Sequence, residues 1–488
     1  MLKLTSRRTF LASSASVLAL AGGCSGAEES SGPTIETVEE TAPLTPMPEI
    51  TADDIADAEL MSAEFGLDPI NEAVVGSVAP ITGGEESKAG KIRRARQQLR
   101  TQPDKTWFYW SDDDADSFDY SHLVAMGETV GESEVSTGLE TEPFDLTPEL
   151  LQTLVDANYF EHSIATTLSE NEKANGRVIV ALRGAEIVNA GTEEDPTIRL
   201  RDRRPSHREP HCVYTVWHRQ VDAPDTLAVF EGATVPSELY LSIFQALRAS
   251  NLKSSMMPQG FHLRRLDNMR LSATNTHSNT LRQASPCPVI REPDPERDAF
   301  SMGHSEWDPS SSDDSPRSVG AHIHAGYWDN REGNSWRDWR WKFSSAGCQT
   351  ICGSVSNETA RRDISDFYTA MDIPEAELVD EAFTSDKYGT IYPMVLLSGR
   401  EARMHAEGAP MSAMRRIRFG SSIDAEAEPD HPIIQVQEAL GVTADGQFGG
   451  GSMLKLIDVQ RAGSWMIGSA ADGIVTPDLV ASQDIDLG

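Results

Sequence analysis

The sequence predicts an α+β chain, with a mainly β central region followed by a small helical segment near the C-terminus. Two observations carry this. Short apolar runs bounded by turn residues recur at 177–184, 212–217, 226–230 and 392–397, as expected of buried strands. Asp-Gly occurs at 445–446 and again at 472–473, in each case after a stretch with helical apolar spacing; this dipeptide supplies a tight turn with positive φ.

The chain has 488 residues, 42 basic against 76 acidic, and a formal net charge of −34. That length suits two or three domains with a sizeable core. The hydrophobic fraction of 39% is low for a globular chain and places the shortfall in tails and linkers. So acidic a chain is poorly suited to nucleic acid and is repelled by anionic lipid faces. Only one apolar run, at the N-terminus, is fit to enter a membrane, which argues against a multi-pass protein.

That run opens the chain. Arg7 and Arg8 precede an apolar stretch from Leu11 to Ala21, closed by Gly22-Gly23-Cys24. A charged start, a short apolar core and small closing residues make residues 1–23 a secretory signal, too short for a mature span. The paired arginines, with Phe10 two positions on, resemble a twin-arginine export signal. Leu20-Ala21-Gly22-Gly23-Cys24 resembles a bacterial lipoprotein cleavage box, which implies lipidation of Cys24. The expected location is the cell envelope on the periplasmic side, held to the membrane by the N-terminal lipid; the alternative is a plain signal peptide. In such an oxidising compartment Cys212, Cys287, Cys348 and Cys352 have three complete pairings open to them.

Residues 24–90 read as an acidic disordered tether: from Ser25 to Leu60 there are ten acids and no Lys or Arg. Residues 91–175 read as a helical extension. It begins with the basic run 91–100, taken as an exposed helical face. It ends in an amphipathic helix over 146–160, with Thr147 as N-cap, Pro148 in the first turn and Leu150, Leu151, Leu154 and Val155 on the apolar face. Within the β region the spacing predicts a helix over 237–249 capped by Ser237. The Pro-, Asp- and Ser-rich stretch 292–318 is expected as a long loop or insertion. Residues 401–431 are expected as a linker.

The C-terminal segment 432–484 carries a weak internal duplication. Gln437 to Val442 leads to Ala444-Asp445-Gly446-Gln447-Phe448-Gly449, and Val459-Gln460-Arg461 leads to Ala471-Asp472-Gly473-Ile474-Val475. Val436, Leu440, Leu454 and Ile457 are the expected buried positions. The pattern resembles the small three-helix peptidoglycan-binding module, with Gly449-Gly450-Gly451 in place of the usual Gly-Pro; this implies an all-α module and peptidoglycan as partner. The alternative is a helical dimerisation module.

The densest chemistry lies between Val319 and Gly353. Strand alternation over Gly320-Ala321-His322-Ile323-His324-Ala325-Gly326 sends His322 and His324 to one face. Cys348 follows Gly347 in Ser344-Ser345-Ala346-Gly347-Cys348-Gln349, where backbone amides can be bared at a turn. A cysteine nucleophile needs a base or a cation to raise its thiolate fraction, and N–H donors to hold an oxyanion. His324, reached across a hairpin-like excursion, is the candidate base, and the amides of Gly347 and Cys348 are candidate donors. These residues resemble the L,D-transpeptidase (YkuD-type) signature, matching at His324, Ser345, Gly347 and Cys348 and departing at Ala346, where that family has a second histidine. The resemblance implies a mainly β, catalytic-type domain over 176–400, acting on peptidoglycan stem peptides without a cofactor. A further likeness, to phage and bacterial wall-associated proteins, rests on Ala181-Leu182-Arg183-Gly184, on Phe230 to Pro236, and on the Ile-His and Ala-Gly-Cys-Gln motifs.

Other residues remain open between roles. Trp328, Trp336 and Trp339, with Trp341 and neighbouring arginines, either line a groove for glycan or stem peptide or are loop packing. His322 is a substrate contact or a rim histidine. Arg183 and Arg204 are candidates to meet a peptide carboxylate. Against the thiol enzyme stand two other readings: a zinc peptidase using His304, Asp308, His322 and His324, and a non-catalytic, lipid-anchored wall-binding protein.

Overall fold

The computed structural model describes residues 141–236, 255–304, 322–325, 349–352, 362–373, 387–461 and 472–481, apart from positions 193, 204, 208, 273–274, 286 and 295–298. The leader with Cys24, the tether, the basic run and the helix expected at 237–249 lie outside the described residues.

Two helices come first, α1 (Pro148–Ala157) and α2 (Glu161–Glu170). The first is capped as expected: the Leu150 N–H donates to Thr147 Oγ1 at 3.2 Å. The strands follow. A closed barrel is built from β2 (Arg177–Arg183), β5 (Cys212–His218), β6 (Thr226–Ala233), β8 (Gly260–Ser272), β9 (Asn275–Gln283), β12 (His322–Ala325), β13 (Gln349–Ile351) and β14 (Ile391–Ser398). Around the barrel the order is β12-β13-β6-β5-β2-β14-β8-β9. The β14–β2 and β12–β13 pairs are parallel; the other barrel pairs are antiparallel. Closure leaves no open sheet edge in the barrel. Two small sheets flank it, β1-β4-β3, from β1 (Phe144–Asp145), β3 (Ala185–Ala190) and β4 (Ile198–Asp202), and β11-β10-β7, from β7 (Ser255–Met256), β10 (Pro288–Asp294) and β11 (Ala299–His304). The fold is therefore a β-rich α+β arrangement.

The continuous apolar runs of β2, β5 and β14 have a physical cause: these strands are covered on both faces. Ile179, Ala181, Tyr214, Val216, Met394 and Leu396 belong to the barrel interior cluster. Val178, Val180, Leu182, Trp217, Val395 and Leu397 pack outward against Leu151, Leu154, Val155, Phe160 and Ile164 of the two leading helices. One end of the interior receives α3 (Arg362–Ala370), whose Phe367 ring lies 5.5 Å from Phe230 and 6.5 Å from Tyr214, edge-on to both.

Two expectations change. The stretch taken as a loop from 292 contains the end of β10 and all of β11, a paired hairpin with a register shift between Arg291 and Asp294. The stretch taken as a linker from 401 holds most of α4 (Gly399–Ala406) and all of α5 (Met411–Met414), and then a strap whose residues 416–419 and 421–423 are buried. Only 424–430 keeps the exposed, acidic character expected there. The strap stitches distant parts of the chain together. The N–H groups of Arg416 and Ser422 donate to Ala157 O and Tyr159 O, both at 2.8 Å, and the Phe261 N–H donates to Phe419 O at 2.8 Å. Ser421 Oγ donates to Asn158 O at 2.7 Å. The approach to β8 is so close that a Cβ on Gly260 would sit 2.2 Å from Phe419 O, and one on Gly420 (φ +84) would sit 2.6 Å from Phe261 Cβ. Beneath the strap, Arg418 donates to both oxygens of Glu401 at 3.1 and 3.0 Å and to Gln259 Oε1 at 2.9 Å, all buried. Asn158 Nδ2 donates to the same carboxylate at 3.0 Å.

The C-terminal segment holds α6 (Pro432–Leu440), α7 (Gly450–Arg461) and α8 (Pro477–Ala481). Its duplication is visible atom by atom. Gln437 Nε2 donates to Asp445 Oδ1 at 2.9 Å while its Oε1 accepts from the Gly446 N–H at 3.0 Å. Gln460 Nε2 donates to Asp472 Oδ1 at 3.2 Å while its Oε1 accepts from the Gly473 N–H at 2.9 Å. Each glutamine thus clips an Asp-Gly turn whose glycine has positive φ, +76 at Gly446 and +71 at Gly473. Each turn also pairs with the strap, Gln447 with Ser422 and Val475 with Ile417. Val436, Leu440 and Ile457 are buried as expected; Leu454 is only half-buried, and Met453 and Leu456 fill the core instead. These side chains belong to the same continuous core as the barrel interior.

Candidate functional site

One of the two sequence motifs that suggest cysteine chemistry lies on a barrel strand, and the strand paired with it begins just after the other in sequence. Strand β12 carries the His-Ile-His motif and β13 begins at Gln349, the residue after Cys348. They are hydrogen-bonded neighbours, with Ile323 opposite Gln349, His324 opposite Thr350 and Ala325 opposite Ile351. The pair is parallel, so the two strands are not the paired arms of a hairpin. The alternation that buries Ile323 in the core puts positions 322 and 324 on the strand's other face.

The barrel interior next to β13 is unusually polar. On β8, Arg264 lies opposite Gln283 of β9, and both are fully buried. Arg264 Nε donates to Met394 Sδ at 3.2 Å; its Nη2 donates to Met257 Sδ at 2.7 Å and, across the interior, to Gln349 Oε1. Arg183, the last residue of β2, is also fully buried, giving Nη2 to Met257 O at 2.7 Å and Nε to Thr234 Oγ1 at 3.0 Å. Arg183, expected as a substrate contact, makes internal bonds here and braces Met257, which also meets Arg264. Gln283 has both amide atoms buried without a partner, and so has Gln349 its Nε2.

Burial and these guanidiniums set the local acid–base behaviour. Burial drives the Tyr214 phenol well above its ordinary range, with the Cys212 thiol adding to the rise and the two arginines opposing it. The Tyr214 hydroxyl donates to Ala233 O at 3.0 Å. Burial, reinforced by Arg264, lowers His262 to about 3. It is therefore a neutral imidazole, whose Nε2–H donates to Pro258 O at 2.9 Å. Cys212, Cys287 and Cys352 are buried thiols, and burial pushes Cys287 up to about 12. A thiol held that high is inert as a nucleophile at neutral pH.

Of the expected site residues, His322 and His324 sit on β12 beside β13. Cys348, Ser345, Gly347, Trp328, Trp336, Trp339 and Asp308 lie outside the described residues. Of the zinc set, His304 ends β11, in a different sheet from β12. Among the described residues no group of three or more His, Cys, Asp or Glu side chains is placed to hold a metal ion. The Arg264–Gln283–Gln349 cluster escapes sequence reasoning, because each residue is unremarkable in its own segment. No protein-family model, curated protein or solved structure matches this chain.

Proposed function

We propose that this is an exported envelope protein that acts on peptidoglycan stem peptides through Cys348, with a β12 histidine as its base. The observation that supports this best is the pairing of β12 with β13. The strand that begins one residue after Cys348 in sequence is a hydrogen-bonded neighbour of the histidine-bearing strand, although the two are separated in sequence. His324 is the candidate base, and His322 lies two residues before it on the same strand.

In this reading the Cys348 thiol gives its proton to the histidine and the sulfur attacks a stem-peptide carbonyl. The amides around Gly347 and Cys348, with Ser345, receive the oxyanion. The C–N bond breaks, the leaving amine takes the proton from the imidazolium, and a thioester remains on Cys348. An acceptor amine resolves it to a new peptide bond, or water resolves it to a free acid. The clipped Asp-Gly turns of 432–484 support the likeness to a three-helix peptidoglycan-binding module, which would hold the protein on the wall. Lipid on Cys24 would hold it to the membrane. No cofactor is required.

The test is mass spectrometry of muropeptides incubated with the parent protein and with Cys348→Ala, with His322→Ala and His324→Ala separating the bases. Loss of a terminal residue with new crosslinked masses, abolished in Cys348→Ala, is the transpeptidase outcome. Gain of water that still depends on Cys348 is the peptidase outcome. Cleavage that survives the substitution but stops with a chelator would transfer the chemistry to zinc, and unchanged muropeptides throughout would leave a wall anchor.

A further inference from the structure

Three parts of the chain that are far apart in sequence meet at one aromatic ring. Tyr159 lies between the two leading helices with φ +54, an uncommon backbone state for a large side chain, and its carbonyl accepts the Ser422 N–H of the strap. The Arg415 guanidinium, just after α5, lies over the Tyr159 ring, 5.3 Å from its centroid. His431 meets the same ring edge-on, with centroids 4.9 Å apart and planes at 87°. His431 is also the N-cap of α6. Its Nδ1 accepts the Ile433 N–H at 3.2 Å, and Pro432, between them, has no N–H to be capped.

An imidazole can fill that role only while Nδ1 keeps its lone pair. The usual N-cap residues accept this bond throughout the neutral and mildly acidic range, whereas histidine accepts it only when neutral, with its proton on Nε2. Protonation turns the acceptor into a donor that faces the Ile433 N–H. It also places a positive charge at the positive end of the α6 dipole, on the ring that Arg415 already covers. The titratable and charged groups around His431 are Tyr159, Arg415 and, in the exposed stretch before α6, Glu428 and Asp430. Burial lowers the His431 pKa, Arg415 adds to the fall, and Glu428 opposes both.

We infer that His431 is a pH-sensitive latch, which holds the first turn of α6 against Tyr159 and the leading helices when neutral and releases it on protonation. The folded state takes up this proton at lower pH than the unfolded chain does. The latch is therefore fully closed above about pH 6.5 and is lost as pH falls through the folded value. It operates whether or not the protein has enzymatic activity. Titration of Asp202 acts in the opposite sense, since its raised carboxyl stabilises the fold as pH falls.

Hydrogen exchange of the full chain tests this, read by mass spectrometry on peptides spanning 431–440 at about pH 7.5 and about pH 5, with intrinsic rates corrected. In the parent, protection of the first turn of α6 is expected to fall about fivefold at the lower pH, the scale of one lost N-cap. His431→Asn, which caps without titrating, is expected to keep its protection at both pH values. Arg415→Gln, which takes a cation off the ring, should move the midpoint of the parent's change to higher pH. Equal protection at both pH values in the parent would overturn the inference, and so would a pH dependence that persists undiminished in His431→Asn. A fall shared by peptides throughout the barrel would also overturn it, because the latch is local.

Discussion

Replacing Glu401 by Gln should destabilise the protein more than almost any other single polar change. The carboxylate receives both Arg418 bonds, at 3.1 and 3.0 Å, and the Asn158 amide at 3.0 Å, and neither charged side chain has measurable exposure. Two unit charges at about 3 Å in an effective dielectric of roughly 20 attract by on the order of 5 kcal/mol before desolvation is counted. Removing one partner strands the other charge, so the expected net loss is about 3–5 kcal/mol. In urea, with a slope of about 3 kcal/mol per molar, the midpoint should fall by at least roughly 1 M. Tryptophan fluorescence follows the transition, since Trp217 is buried between the barrel and the leading helices. The double replacement Glu401→Leu with Arg418→Met should recover most of the loss, because it removes both charges from a site that is already dry. A single variant within about 1 kcal/mol of the parent, or a double variant no better than the worse single one, would refute the account of this junction.

Asp202 gives a pH-dependent prediction. Burial outweighs Arg400 and Arg403 and raises its carboxyl from 3.8 to about 6. The folded state therefore keeps a proton that the unfolded state releases, and stability should fall by about 3 kcal/mol as pH rises from 3.8 to 6. Asp202→Asn should flatten that slope in denaturation curves taken across the window. Gln437→Ala and Gln460→Ala each remove a clip of several buried hydrogen bonds; each should cost about 2–3 kcal/mol in urea denaturation, and the two losses should be alike. A large loss at one and none at the other would mean that the duplicated turns are not energetically equivalent.

The parts of the fold visible in the sequence were those in which burial leaves an unbroken signal. Strands β2, β5 and β14 are apolar along their length because both faces are covered, and the Thr147–Pro148 start of α1 is a local capping arrangement. By contrast, β8 reads Gly-Phe-His-Leu-Arg-Arg-Leu and is rich in charge, yet His262 and Arg264 point into the barrel. No local pattern announces a strand whose inward face is polar. The same applies to the strap: Arg416, Arg418, Ser421 and Ser422 look like linker residues, and become interior only because Glu401, Asn158 and the main chain at Ala157 and Tyr159 receive them. At the candidate site, alternation was enough to set the two histidines on one face of a strand. The neighbourhood of β12 and β13, and its parallel sense, depends on the whole circuit of the barrel. Gln349 reaches Arg264 only through that circuit, whereas Gln283 lies opposite it within the adjacent β8–β9 pair.

The strap has a consequence in time. Ser421 and Asn158 are 263 residues apart, and at a synthesis rate of about 5–20 residues per second that interval lasts roughly 13–50 s. Throughout it the carbonyls of Ala157, Asn158 and Tyr159 await donors that have not yet been made, and the leading helices are held to the barrel by apolar contacts without these hydrogen bonds. Contacts of such long range also make for slow folding once the chain is complete. A chain cut before Arg416 would lack the donors for these carbonyls and the Arg418 partner of Glu401, and would leave that seam open.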